Sequence, residues 1–271
     1  MEDLQRTIGW IYQNIGRISK FVLSLDTHTV HQVFHPSFWV NKDGKHPAPF
    51  TPISTKDIVD GNWTPFLPGQ RDFADLKASM IDYTTQLEKS GKYALTIWPY
   101  HTMLGTWGHS VNPALMEAVL LHSISRRVDP SFVIKGSNPY TENFSVLAPE
   151  VTAIANESSF VKVGRYNTGL ADALRKYDRI YVFGQAKSHC VLSTLDSLVS
   201  MHGSDKAFMQ KIYILEDAMS CIPAPKIDPL PDALNFPKVT EEAFERFEKA
   251  GMQRVLTQTP KDRDASSSST A

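Results

Sequence analysis

The chain has almost no cysteine. Only Cys190 and Cys221 occur among 271 residues, too few for a disulfide framework, and a reducing, cytoplasmic setting is the expectation. Charge of either sign is not in excess: 28 Lys and Arg stand against 29 Asp and Glu. That argues against the broad basic surface that binds nucleic acid or an acidic membrane. No apolar run approaches the roughly 18 residues of a membrane span. The opening MEDLQRTIGWIYQ has neither the basic nor the apolar region of a secretion signal. No G-x-G-x-x-G is present, and GRYNTG (164–169) lacks the Lys-Ser/Thr of a phosphate loop. Dinucleotide and P-loop chemistry are set aside. No internal repeat is present.

What is there is an alternation of helix and strand patterns. Leu4, Ile8, Ile11, Ile15 and Ile18 recur at steps of four and three, the stripe of an amphipathic helix. KFVLSLDTH, YALTIWP, SFVIKG, RIYVFG, KIYILEDA and QRVLTQ read as strands. RDFADLKASMIDYTTQLEKSG, NPALMEAVLLHSISRRV, residues 149–158 and 168–177, CVLSTLDSLVSMHG and TEEAFERFEKAG read as helices. Asn112 before Pro113 is an N-cap pattern. The alternation predicts an α/β fold, an open and mostly parallel sheet with helices on both faces. A single domain over 1–258 is expected, with a long insert at about 40–92. The polar, Ser-rich tail 259–271 is expected to be disordered.

In such a sheet ligands sit outside the carboxyl ends of the strands. Asp26 and His28, His101, Lys135 and Cys190 all fall at such ends. Asp26 and His28 alternate, so in extended chain both face one side. With His101 they form a two-histidine, one-carboxylate set suited to a divalent cation, with His35 as a fourth ligand to consider. Lys135 closes an apolar strand, where partial desolvation tunes an ammonium. Cys190 stands between a turn and a helix, where free backbone N–H groups favour a thiolate. Taken singly, Asp26 and His28 read first as an ordinary loop pair and Lys135 as a snorkelling lysine, and only Cys190 divides evenly between a buried filler and a nucleophile.

Taken together and in order, these segments resemble the isochorismatase-like cysteine hydrolases, nicotinamidase branch. SLDTH is similar to the family's metal-binding strand end. IWPYHTMLGTWGH resembles its W-P-x-H-C-x-x-G-T segment, with Thr102 where cysteine is common. VIKGSNPYTENFS resembles the lysine strand. FGQAKSHCVLSTLDSL resembles the nucleophile motif, with Lys187 at the usual threonine. The resemblance implies a three-layer, Rossmann-like fold and cleavage of the C–N bond of a small amide through a covalent Cys190 intermediate. Lys135 would stand beside the thiolate, and the amides of Ala186 and Cys190 would form the oxyanion hole. The Gln185–Ala186 peptide would be cis. Asp26, His28 and His101 would bind zinc or a similar divalent ion, and Trp98 would wall a flat substrate. Assembly into a homo-oligomer is a further expectation.

The family's third catalytic group is an aspartate at the end of a first strand. The chain has no such segment: it opens on the helix that would follow, and Asp3 in that helix cannot be transferred to the role. Either a strand with its aspartate lies upstream of Met1, which is the expectation, or the protein is a non-catalytic relative that binds metal and ligand. A metal-dependent hydrolase with Cys190 as a bystander is a third reading.

Overall fold

The structure is a computed structural model that describes residues 2–66, 73–91, 94–155, 160–224, 226, 228–230 and 234–258. The expected disordered tail, 259–271, lies outside the described residues. Helix α1 (Glu2–Asn14) opens the chain. It stops short of the predicted stripe because Arg17 and Ile18 turn their N–H groups back onto the Asn14 carbonyl. Strand β1 (Val22–Asp26) and the short β2 (Trp39–Val40) follow. The insert then builds α2 (Thr55–Val59), β3 (Thr64–Pro65) and α3 (Phe73–Ser90). Helix α2 was not expected; a reciprocal capping box between Ser54 and Asp57 starts it.

Beyond the insert come α4 (Pro113–Arg126), capped as predicted by Asn112, then β4 (Ser131–Lys135), β5 (Ala153–Ala155), β6 (Phe160–Lys162) and α5 (Thr168–Leu174). The last part runs β7 (Ile180–Val182), a π-helical turn at Lys187–Val191, α6 (Leu192–His202), α7 (Lys206–Met209), β8 (Ile212–Leu215), α8 (Phe236–Ala250) and β9 (Gln253–Val255).

The parallel sheet lies in two pieces. β1 pairs with β4, and β7, β8 and β9 pair in that order, every pairing parallel. The antiparallel pairs β2–β3 and β5–β6 are small additions. Among the described residues no strand joins the two pieces by hydrogen bonds. Helix α1 links them instead: Trp10 rests on Tyr181 at 4.8 Å and Phe183 at 5.9 Å, and shares a buried cluster with Phe21 beside β1 and Leu215 of β8. The α/β class with parallel strands and covering helices stands as expected. The second piece packs on α6 and α8 through Leu195, Leu198, Ile212, Ile214, Phe244 and Phe247. The insert buries its own core, in which Ile58, Met80 and Tyr83 meet Phe34, Phe38, Leu95 and Ile97.

Two sequence expectations fail. YALTIWP is not a strand: its described residues exchange bonds with the insert loop, and the one bridge pairs Thr96 with Pro52. Pro52 has no N–H to extend a ladder. Residues 149–158 are not a helix: Ala153–Ala155 is strand β5, and 156–159 lie outside the described residues. Packing decides against local propensity there, because Ile154 enters the insert core and the Ala155 N–H donates to Asp82 of α3 at 2.8 Å.

Candidate active site

The parallel register of β1 and β4 sets Asp26 directly opposite Lys135 at the carboxyl ends of both strands. Both side chains leave the sheet together, and Lys135 Nζ donates to Asp26 Oδ1 at 2.8 Å. The same ammonium donates to the Asn143 carbonyl at 2.8 Å and stands 3.5 Å from Cys190 Sγ. Lys135 is buried, and three partners answer its three protons. Cys190 arrives from the other sheet piece, in the π-helical turn after β7. The carbonyl of Ala186 closes that turn, accepting from the N–H groups of His189 and Val191 at 3.2 Å each. The Gln185–Ala186 peptide is cis, as the resemblance implies. The Ala186 backbone hydrogen-bonds Cys190.

The charges are arranged in series. Burial works against the Asp26 carboxylate, but the His28 hydrogen bond and the Lys135 ammonium hold it well below the usual carboxylate range. Burial pushes the Cys190 thiol up; Lys135 opposes that and Asp26 adds to it. The resting pair is therefore an ammonium beside a thiol, with the thiolate stabilised by Lys135 once it forms.

Asp26, His28 and His101 offer one ligand atom each, all within 4.8 Å of one another. His28 Nε2 is 3.1 Å and His101 Nε2 4.0 Å from Asp26 Oδ2. The other nitrogen of each ring meets a carbonyl: His28 Nδ1 that of Gly136 at 3.1 Å, His101 Nδ1 that of Pro99 at 2.8 Å. The Pro99 carbonyl accepts only, so His101 Nδ1 carries the proton and its Nε2 presents a lone pair to the cluster; His28 lies between two acceptors, the Gly136 carbonyl and the Asp26 carboxylate. Burial lowers the pKa of His101, which also favours the neutral ligand form. The donor set fits a divalent cation. His35 is the third histidine here; its Nδ1 meets the Thr29 carbonyl at 2.9 Å and its Nε2 is buried without a hydrogen-bond partner. It is not part of the three-residue cluster.

Trp98 is half-buried, three residues before His101. Its ring lies edge-on to His189, the residue before Cys190, at 5.8 Å and to Phe50 at 6.0 Å. Its Nε1 donates to Glu142 Oε1 at 2.8 Å. Burial pushes the Glu142 carboxyl up to about 8. His189 is enclosed by Trp98, Phe144 and Phe236, and burial lowers it to about 4.

Asp26, His28, His101, Lys135, Cys190 and Ala186 thus lie in one connected group, which Trp98 reaches through His189, while His35 stays outside the cation cluster. What sequence reading missed is that Asp26 faces both ways, one oxygen to the histidines and the other to Lys135. It also missed Glu142 and His189, although both lie inside the quoted segments. Lys187, at the motif's usual threonine, turns away from the site and pairs with Glu216 at 2.9 Å. Asp3 lies outside it as well, bonded to Ser220 Oγ at 2.6 Å and to Gln185.

No protein-family model and no curated protein sequence matches the chain. Solved structures do. The chain is similar to the yeast nicotinamidase Pnc1p bound to the inhibitor nicotinaldehyde, with a TM-score of 0.53 and 17% identity over 94% of this chain and 88% of that one. It is likewise similar to the Acinetobacter baumanii nicotinamidase–pyrazinamidase, with a TM-score of 0.52 and 18% identity over 94% and 86% of the two chains. The chain shares the fold of these nicotinamidases. No described helix is long and apolar enough to cross a membrane.

Proposed function

We propose that the protein is a cysteine hydrolase that cleaves the C–N bond of a small, nicotinamide-like amide. The observation that carries this reading is Lys135 Nζ, 2.8 Å from Asp26 Oδ1 and 3.5 Å from Cys190 Sγ. Lys135 stabilises the thiolate of Cys190, which adds to the amide carbonyl carbon. The N–H groups of Ala186 and Cys190 take the oxyanion. The proton given up by the Cys190 thiol passes to the departing nitrogen as the C–N bond breaks, ammonia leaves, and an acyl-thioester remains on Cys190. Water then attacks the thioester, releasing the carboxylic acid and restoring the thiol. Asp26 keeps Lys135 charged through this cycle; its own low pKa suits it to a fixed charge rather than to proton exchange. Trp98 forms the wall for a flat acyl group. Asp26, His28 and His101 would hold the divalent ion, zinc by resemblance, which supplies a Lewis-acid charge for a ring nitrogen or water.

The partner is a small molecule, not nucleic acid or membrane, and the working location is the cytoplasm. Exposed Ile124, Phe132 and Ile134 support self-association, to be checked by light scattering. Cys190→Ala should abolish ammonia release from nicotinamide or pyrazinamide, a loss of at least ~1000-fold; undiminished turnover sinks the reading. A second reading, a non-catalytic metal- and ligand-binding relative, is favoured by one observation: the carboxylate on Lys135 is also the carboxylate of the cation cluster. Turnover by the purified chain decides between them.

A further inference from the structure

Glu142 is a buried ionisable group at the site that the reaction above does not use. Its backbone is fixed from three sides. Its N–H donates to the Tyr83 hydroxyl at 3.2 Å, and its carbonyl accepts from the Glu150 N–H at 2.9 Å and the Thr141 hydroxyl at 3.2 Å. The next residue, Asn143, gives its carbonyl to Lys135. One short segment therefore touches both the ammonium beside the nucleophile and, through the Glu142 side chain, the indole of Trp98.

The surroundings do not suit a carboxylate. The side chain is buried, and its contact is one neutral indole N–H. The nearest cation, Lys135, directs its protons to Asp26, Asn143 and Cys190. The groups that act on Glu142 are Glu150 and Asp26, whose charges oppose a further anion, Lys135, which favours one, and the Tyr83 hydroxyl on its backbone. A buried carboxyl with one neutral donor and two acidic neighbours is more stable as the acid. The acid still accepts from Trp98 through its carbonyl oxygen. The direction given above, up to about 8, agrees with this geometry.

We propose that Glu142 is a positioning residue: a buried neutral carboxylic acid that fixes the Trp98 indole against His189, the residue before Cys190, and whose ionisation disfavours the Cys190 thiolate. Its significance for turnover rests on the hydrolase reading, but its effect on the thiol does not. The neutral acid leaves Lys135 to balance Asp26 and the thiolate. The ionised form adds a negative charge to the same buried region, and the thiolate becomes harder to form.

The test follows the alkylation of Cys190 by iodoacetamide from pH 6 to 10 at one fixed metal content, with the adduct quantified by peptide mass spectrometry. In the unaltered protein the rate should rise with pH and then flatten near 8, where Glu142 ionises, before rising again. Glu142→Gln keeps the acceptor for Trp98 but cannot ionise, so its profile should rise without the flattening. Trp98→Phe removes the one donor, so the flattening should move to higher pH. Superimposable profiles for the unaltered protein and Glu142→Gln would overturn the proposal. If Glu142→Gln fails to fold, an unmoved inflection in Trp98→Phe overturns it just as well. A protein that shows the flattening yet hydrolyses no amide refutes the hydrolase reading and leaves this one standing.

Discussion

A β-carbon placed on Gly136 would lie 2.7 Å from Asp26 Oδ1 and 2.9 Å from His28 Cε1. Gly136 also holds a positive φ of 78° and offers its carbonyl to His28 Nδ1. The glycine after Lys135 is therefore the floor on which the carboxylate and the first histidine rest.

Gly136→Ala combines an unfavourable backbone conformation, worth about 1–3 kcal/mol, with a collision at the cation cluster. Zinc affinity should fall by about 10- to 100-fold, as for loss of an outer-shell partner. Competition with a chromophoric chelator measures it. His101→Ala removes one of the three proposed ligand side chains and should weaken zinc binding more than Gly136→Ala does. The reverse order would mean that His101 is not a ligand.

Lys135→Met replaces a buried ammonium with an apolar chain of similar length. Asp26 is left without its cation, and unfolding stability should drop by about 3 kcal/mol, the scale for a broken buried pair. Urea titration monitored by circular dichroism checks this. Cys190 loses the charge that favours its thiolate, so its alkylation at pH 8 should slow about tenfold, one pKa unit. An unchanged alkylation rate would show that the 3.5 Å contact has no electrostatic effect on the sulfur.

His189 gives the acid side of the stability profile. Burial lowers it from 6.5 to about 4 in the folded chain, so in that interval the unfolded chain binds the proton and the folded chain does not. Its neutral-state contribution is complete above pH 6.5 and is lost as pH falls towards 4. Between pH 7 and 5 this amounts to about 2 kcal/mol. His189→Phe retains a ring among Trp98, Phe144 and Phe236 without a titrating group. The difference in unfolding free energy between pH 7 and pH 5 should shrink by that amount. An equal pH dependence in both proteins would place the acid sensitivity elsewhere.

The chemistry-bearing residues were legible because their signals are local. Asp26 and His28 alternate at a strand end, Lys135 closes an apolar strand, and Cys190 follows the strand-and-turn pattern of GQAKSHC. Each can be recognised within about ten residues of sequence, and so could the N-cap at Asn112. YALTIWP and 149–158 were misread because their local patterns lost to partners elsewhere. Pro52 stopped a ladder from forming on Thr96, and the contacts of α3 drew Ala153–Ala155 into a hairpin.

The sequence by itself determined the order of the elements, the absence of nucleotide-binding motifs and which side chains could do chemistry. Only the tertiary structure decided how they are wired. The register of β1 against β4 joins Asp26 to Lys135 across 109 residues of chain, so that one carboxylate serves both the histidines and the ammonium. The same packing encloses Glu142 and His189 and moves their proton affinities in opposite senses, the acid up and the base down. Both shifts come from burial, and burial depends on which distant segments close over a residue rather than on the residues beside it in the chain.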